Sequence, residues 1–579
     1  MESRRLAGLI AAVAILCVSS PCLGYYWNLE YVDWYGQAGL DSSLALTPSA
    51  KYIAYTASGD LFLAAGNGAG WTLEHVAAAG FGGGWCSVAA PATGSPLIAF
   101  IDDSGAAPVL RSASKSGGVW SVEQVDSAGW LPDYVSLKLD NLGRPAIAYS
   151  ATAAAGSPAV VKLARRSAAG AWTIETVATI GDVNGPSLAF DGSGLPAVSF
   201  VDVTSGVVKL ARRSAVGSWT VETVAGTSMT PARWYTSLAF TAGPAPCVAY
   251  YAGAGDYLSL YYASKPSSSW VREVVQAQLP AGSPQYCSLA VDAYAKPAIA
   301  YLDSATQTLG VARRLAGKWY YETVDGAYMS GYRPSLVFDA ESNPAIAYVD
   351  AGFSAVKYAS TQQAGLESAK LLPDGSLLSF SGVAASTASG ELSERLYVQS
   401  PARSSGVQIY LGPQVPPAVA RGSLLRVEGR AGTRDGERCV LSPEITLIQA
   451  GEAPVPLNLT NTAAGGDGFH YDPFPPAIGQ QGVEGGFGLN NIGLLVRTWG
   501  RVTAVAGGYL YIDDGSGLLD GTDTNGSPNA GVRVVAATAG FVPGDFVCVT
   551  GISSCFTTGA GTLARQILPR DSAGLVPCP

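Results

Sequence analysis

Between residues 27 and 360 the chain alternates short apolar runs with turn residues, and the runs recur in a fixed order. One run reads WNLEYV from Trp27, WTLEHV from Trp71, WSVEQV from Trp120, WTIETV from Trp172, WTVETV from Trp219, WVREVV from Trp270 and WYYETV from Trp319. The intervals are 44, 49, 52, 47, 51 and 49 residues. Between the tryptophans lie a run of the type SLAL, SLKL or SLAF and then one of the type YIAY, LIAF or AVSF. A fourth run, VKLARR or a looser relative, completes the unit. Runs this short, rich in β-branched and aromatic residues and bounded by Gly, Pro and Asp, read as strands. A period of about 40–50 residues that holds four short strands predicts one blade of a β-propeller per unit.

The two ends of the repeat predict how the ring closes. The last unit stops at VKYAS (Val356 to Ser360) with no tryptophan run after it, and the first tryptophan run, Trp27 to Val32, has no unit before it. The orphan strand fits the open position, which gives seven blades and removes two free sheet edges. Turns such as DNLGRP (Asp140–Pro145), DGSGLP (Asp191–Pro196), DAYAKP (Asp292–Pro297) and DAESNP (Asp339–Pro344) join the first two strands of a blade, with proline at a strand start where its missing N–H is tolerated. The repeated Trp, and the Glu three positions later, read as blade-packing and hydrogen-bonding groups, since a ligand contact would not need the same residue in every unit.

The repeat ends near Ser360. Residues 361–372 form a polar joint, and two related β segments follow, at 373–452 and 491–579, separated by a Gly/Pro-rich linker at 453–490. In the first, LLSFSGVAA, ERLYVQS, SGVQIYL, RGSLLRVEGR and ERCVLSPEITLI are successive strands. LLVRTWGRVTAV, GYLYIDDGSG, GVRVVAA, PGDFVCVTG and GTLARQILP match them in the second. Five strands in this arrangement resemble the OB-fold, a small five-stranded barrel. The predicted fold class is therefore all-β: a seven-bladed propeller over 25–360 closed by its N-terminal strand, then two small OB-like barrels.

The unit W-x-x-E-x-V … S-L-A-x-D … I-A-Y-x-D … K-L-A-R-R resembles the propeller repeats of secreted bacterial proteins, and the tail is similar to tandem OB-type modules of exported proteins. The resemblance implies an architecture and no particular chemistry, because propellers carry lectins, hydrolases, lyases and scaffolds alike. The Asp-box pattern S-x-D-x-G-x-x-W of sialidases is absent.

Composition agrees with a turn-rich β protein: 70 Gly, 35 Pro and only 14% charged residues. A net charge of −9 argues against a nucleic-acid or anionic-membrane binder, which needs clustered Lys and Arg. Arg395, Arg403, Arg421, Arg426 and Arg430 in the tail are scattered, some of them beside acids. Arg4 and Arg5 followed by the apolar stretch Leu6 to Ser20 read as an export signal over residues 1–24, and no later stretch has the ~18 apolar residues of a membrane span. The expected location is secreted or cell-surface. Beyond the signal lie Cys86, Cys247, Cys287, Cys439, Cys548, Cys555 and Cys578, an odd number. Cys548 and Cys555 flank a predicted turn and are a candidate bridge. No CxxC or CxH spacing suggests zinc.

Candidate chemistry lies where the repeat is least regular. Loops between blades share one face of the ring with the ends of the second strands, because strands of a meander alternate in direction. That face gathers Trp34, Tyr35, Phe81, Trp85, Trp130, Tyr134, Trp234, Tyr235, Tyr286, Tyr328 and Tyr332, with Arg233 and Arg333, and Asp102, Asp202, Asp303 and Asp350. Aromatic faces beside carboxylates and guanidinium groups suit a polyhydroxylated ligand, so a glycan or a surface protein is the expected partner of a binding or scaffold protein. The bland reading is that the aromatics only seal the loops. The alternatives are a carbohydrate-active enzyme (a glycoside hydrolase or lyase, sialidase-like) using those aspartates, and a purely structural envelope protein. Catalysis by a histidine triad has only His75 and His470 to draw on, neither beside a nucleophile motif. No cofactor is expected. The one metal the sequence offers a place for is calcium, in the acidic run with Asp513, Asp514, Asp520 and Asp523, although its best EF-hand register lacks the first carboxylate and the final Glu.

Overall fold

Six blades are consecutive four-stranded antiparallel meanders, and the seventh is assembled from both ends of the repeat. Its strands Tyr332–Phe338, Pro344–Asp350 and Ala355–Thr361 are completed by Trp27–Asp33, which pairs antiparallel with Ala355–Thr361 and sets Trp27 opposite Thr361. The computed structural model describes residues 27–578 except 35–37, 68–69, 79, 81–84, 106, 128–133, 153–156, 227–234, 242, 255–256, 281–285, 316, 362–364, 413–417, 473–477 and 539. The expected export signal and Tyr35, Phe81, Trp130, Arg233 and Trp234 lie outside the described residues.

The repeat residues explain why the blades associate. The middle residue of each second strand, Ile53, Ile98, Ile147, Val198, Val248, Ile299 or Ile346, is wholly buried between blades. Each innermost strand also carries a serine whose hydroxyl accepts the backbone N–H of the next blade's innermost strand. Val88 donates to Ser43, Leu137 to Ser87, Leu188 to Ser136, Leu238 to Ser187, Leu289 to Ser237 and Leu336 to Ser288, and Leu44 donates to Ser335 to complete the circle, all at 2.9–3.1 Å. At the outer edge the tryptophan Nε1 donates to the glutamate of the preceding blade, as in Trp71 to Glu30 (2.9 Å), Trp120 to Glu74 (2.9 Å), Trp319 to Glu273 (2.9 Å) and, across the closure, Trp27 to Glu322 (3.2 Å). A basic residue shares most of these carboxylates, for example Lys115 with Glu74 and Arg314 with Glu273. Trp270 departs from the pattern: Lys265 holds Glu222 and the Trp270 N–H has no acceptor among the described residues.

The turn aspartates act as the sequence suggests. Asp140, Asp191, Asp292 and Asp339 each accept two backbone N–H groups of their own turn.

After a short helix, Ser368–Leu371, the chain forms a closed five-stranded barrel. Around the barrel the order is Leu377–Ala385, Arg395–Gln399, Gly406–Tyr410, Glu437–Gln449 and Leu424–Arg434, the third and last strands in sequence being parallel. A second ring of pairings runs through Leu495–Ala506, Tyr509–Asp513, Val532–Val534, Leu563–Pro569 and Phe546–Thr557 in the same order, again with one parallel pair. The stretch between them carries short strands at Leu457–Asn458, Phe469–Asp472 and Ile478–Gln480. Here one expectation is overturned: Cys548 pairs with Cys578, and Cys555 is a buried free thiol. The expected turn between Cys548 and Cys555 does not exist. Both lie on the unbroken strand Phe546–Thr557, and an odd separation puts them on opposite faces of it. The short strand Leu575–Pro577 lies beside Cys548 instead.

The first barrel docks on blade 6 at the turn Asp292–Lys296, the end of the blade away from the inter-blade loops. Arg426, 1% exposed, reaches Asp292 (3.4 Å) and Glu428 (2.9 Å), and its guanidinium lies 4.4 Å from the centre of the Tyr294 ring. Arg313 adds a further contact to Glu428 (3.5 Å).

Candidate functional site

Two residues before each repeat serine, at the start of every innermost strand, stands a side chain that the ring symmetry carries to the mouth of the axial channel. Around the ring these are Asp41, Trp85, Tyr134, Gly185, Tyr235, Tyr286 and Arg333. Small residues would leave the channel open; here large ones meet across it. Trp85 and Tyr134 have ring centroids 4.1 Å apart, Tyr134 and Tyr235 4.8 Å, and Tyr235 and Tyr286 4.7 Å. Trp85 of blade 2 also reaches Tyr235 of blade 5 at 5.6 Å, so the cluster spans the axis. The Arg333 guanidinium closes it, 3.3 Å from the Trp85 ring centre and 5.2 Å from that of Tyr286. Such cation–π contacts strengthen as water is excluded. Gly185 contributes no side chain, leaving one gap in the circle.

Arg333 is held in place by its backbone and by Asp41. Its φ of 44° is a left-handed conformation rare for a non-glycine residue. Its Nη1 stands 3.5 Å from the Asp41 carboxylate, whose other oxygen accepts the Cys86 N–H at 2.6 Å. Arg333 Nε is buried with no acceptor among the described residues. Burial works against the Arg333 charge, but Asp41 and the Tyr286 and Tyr235 hydroxyls outweigh it and raise its pKa. Burial, then the neighbouring Tyr134 and Tyr286, pushes the Tyr235 phenol far up, so it stays a neutral hydrogen-bonding group. Around this cluster Trp34 and Tyr328 are 71% and 70% exposed, and Tyr332 is half-buried.

Of the residues singled out in the sequence, the structure thus brings together Trp85, Tyr134, Tyr235, Tyr286 and Arg333. It adds Asp41, which chemistry alone did not flag, although it occupies the same register position as the aromatics. Three of the four second-strand aspartates are engaged inside the blades. Asp102 is paired with Arg111 and accepts from Ser104; Asp202 meets Lys209 at 2.6 Å; Asp350 is fully buried, 2.7 Å from Lys357. Burial pushes the carboxyls of Asp102 and Asp202 up, and the hydrogen bonds and cations around them more than reverse it, so both lie below the usual range. Asp303 accepts the Ala305 N–H and has no cationic partner of this kind among the described residues.

The other candidates sit elsewhere. His75 faces Asp60 at 3.0 Å on the outer strand of blade 1. Asp513, Asp514, Asp520 and Asp523 are spread along the second barrel and accept hydrogen bonds from their own turns; Asp520 also takes the Tyr511 hydroxyl. Among the described residues no three metal-ligating side chains converge.

No family model matches the chain, and no curated protein matches it. Solved structures similar to it include a mutant of the Aleuria aurantia lectin in complex with α-methyl-L-fucoside, at 14% identity and TM-score 0.36 over 50% of this chain and 96% of that one. AofleA from Arthrobotrys oligospora matches at 10% identity and TM-score 0.36, over 52% and 90%. A Hadza microbial sialidase matches at 13% identity and TM-score 0.36, over 53% and 74%. At these values the likenesses carry no argument about what this chain binds.

Proposed function

We propose that the chain is a secreted or cell-surface binding protein whose propeller holds a glycan over the axial mouth. The observation that carries this reading is the register-matched cluster of Trp85, Tyr134, Tyr235, Tyr286 and Arg333, with a buried Arg333 Nε that has no acceptor among the described residues. Aromatic carbon faces stack on sugar C–H faces, and the guanidinium and phenols give directed hydrogen bonds to hydroxyls. The exposed side chains of Trp34 and Tyr328 add aromatic surface on the same loop face. An acid–base reaction would need a pair of uncommitted carboxylates at the mouth, whereas Asp41 is already bound to Arg333 and the Cys86 N–H.

The expected export signal and the Cys548–Cys578 bridge support an oxidising, extracytoplasmic location. The two barrels read as OB-type modules, supported by their shared strand order and parallel pair, and serve as a spacer or second binding module.

A glycan array on the full chain tests the reading. Specific binding should appear and fall at least about tenfold when Trp85→Phe and Tyr286→Phe are combined, changes that keep an aromatic ring at both positions but remove the indole N–H, part of its stacking face and a phenol hydroxyl. Array signals at background, or affinity unchanged in the double variant, would overturn it.

A further inference from the structure

Blade 6 breaks the repeat at one position, and the break leaves a cavity. In four blades the residue opposite the aromatic of the second strand is a cation: Arg111 opposite Phe100, Lys162 opposite Tyr149, Lys209 opposite Phe200 and Lys357 opposite Tyr348. Each cation is spent on nearby carboxylates. Lys357 shows the full arrangement, 2.9 Å from Asp325 of the preceding blade and 2.7 Å from Asp350 of its own, with the Tyr348 hydroxyl also donating to Asp325 at 2.8 Å. Blades 1 and 5 fill the position with Phe62 and Tyr261, stacked on Tyr55 and Tyr250. In blade 6 the residue opposite Tyr301 is Gly310.

The acceptors for a cation remain in blade 6 although the cation does not. Asp303 holds the place of Asp202 and Asp350, and its one hydrogen bond among the described residues comes from the Ala305 N–H (2.9 Å). Gln276 stands where Asp126 and Asp325 stand, its amide oxygen accepting from Tyr301 at 3.3 Å. Thr308, almost buried, adds a hydroxyl 2.7 Å from that of Thr306. With Gly310 and Tyr321 these residues line a cavity of about 190 Å³. That is several times the ~30 Å³ a water occupies in the liquid.

We propose that this cavity is a cation site that takes a primary alkylammonium group from outside, in the place that a lysine of the chain itself fills in blades 3, 4 and 7. The ligand is a free amine or the side chain of a lysine in another molecule; the ammonium is common to both. Three rotatable N–H donors match an acceptor set of one carboxylate, one amide oxygen and one hydroxyl. A partly buried carboxylate gains most from such a partner. The site is distinct from the axial mouth and stands or falls independently of the glycan reading.

Titration of the full chain with n-butylammonium, followed by NMR or calorimetry, tests the proposal, with n-butanol as the uncharged control. Saturable binding on the order of millimolar is expected, and none for butanol. Asp303→Asn should weaken it at least about tenfold while leaving the melting curve cooperative. Thr308→Val, which copies Val207 of blade 4, should weaken it less. A Cβ at Gly310 would stand 2.9 Å from the Tyr301 ring, so a Tyr301→Leu/Gly310→Lys variant clears that ring, supplies the lysine of blade 4 and should abolish binding by filling the cavity. It decides the matter should Asp303→Asn fail to fold. Tighter binding of Nα-acetyl-lysine amide than of butylammonium would point to a protein lysine, the reverse to a free amine, and either supports the site. No saturation, equal binding of butanol, or affinity unaffected by Asp303→Asn and by the double variant would mean a water-filled void only and would overturn it.

Discussion

A serine with an unremarkable place in the repeat turns out to join each blade to its neighbour. Its hydroxyl satisfies a backbone N–H that would otherwise be buried without an acceptor, and leaving such a group unpaired costs about 1–3 kcal/mol. Ser237→Ala, which strands the Leu289 N–H, should therefore lower unfolding free energy by that order, read as an earlier denaturant midpoint with an unchanged slope. The role was not legible in the sequence, since the acceptor and donor lie about one repeat apart and only the closed ring puts them together. The irregular loop face made Trp85, Tyr134, Tyr235, Tyr286 and Arg333 legible, but not Asp41, whose significance lies in Arg333 and not in any motif around it. The commitment of Asp102 and Asp202 was hidden for the same reason as the serine's: their cations stand on the third strand, at a distance that only strand pairing sets. Because both carboxyls are held below their ordinary pKa, their contribution to stability is present above about pH 4, the unfolded value, and is lost as pH falls through the folded one. Replacing Asp202 by Asn should flatten that part of the acid limb in melts taken from pH 6 to pH 2, and an unaltered limb would show the pairing with Lys209 to be without weight.

Strands behave as whole units where the ring closes and where the second barrel ends. Trp27–Asp33 supplies the outer edge of blade 7 and donates the Trp27 N–H to Glu322 of blade 6, so its removal exposes one strand edge and two blades at once. Deleting residues 27–33 should replace the cooperative propeller melt by a broad one at lower temperature; a sharp, unshifted transition would refute the closure. The four-strand unit and this closure could be read from the runs alone, because strand number, order and the orphan at each end are all one-dimensional facts. The cysteine pairing could not. Nothing in VCVTGISSCF distinguishes a turn from a long bent strand, and the correct partner arrives on a separate strand at the end of the chain. Cys578→Ser should free Leu575–Pro577 from the barrel and destabilise it by ~2–4 kcal/mol, with one additional thiol titrating in the folded protein.

Across the whole molecule, the barrels lie against the end of blade 6 remote from the axial mouth, which leaves the aromatic face unobstructed by them. That docking leans on Arg426, and removing it takes the ion-pair partner from buried Asp292 and leaves buried Glu428 with Arg313 at 3.5 Å. Arg426→Ala should cost about 3–5 kcal/mol and speed proteolysis at the joint near residue 365. Between the barrels Glu437 accepts from Tyr397 and Ser554, both at 3.0 Å. Burial pushes its pKa up to about 7 against the hydrogen bonds that favour the charge. The folded state then holds a proton that the unfolded chain releases, so the barrel pair is more stable below about pH 4.5 and loses that stability as pH rises to about 7. Glu437→Gln should remove this dependence in melts between pH 5 and pH 8. The seam in blade 7 has a last consequence, for how the protein comes into being. Trp27–Asp33 leaves the ribosome ahead of all the blades, yet its partner Ala355–Thr361 is made after the rest of the ring. Until then every partial product carries an unpaired strand at its front and an open sheet at its back. Neighbouring nascent chains can pair through those edges, so the tendency to misassemble should peak just before the ring is finished and fall away once it shuts.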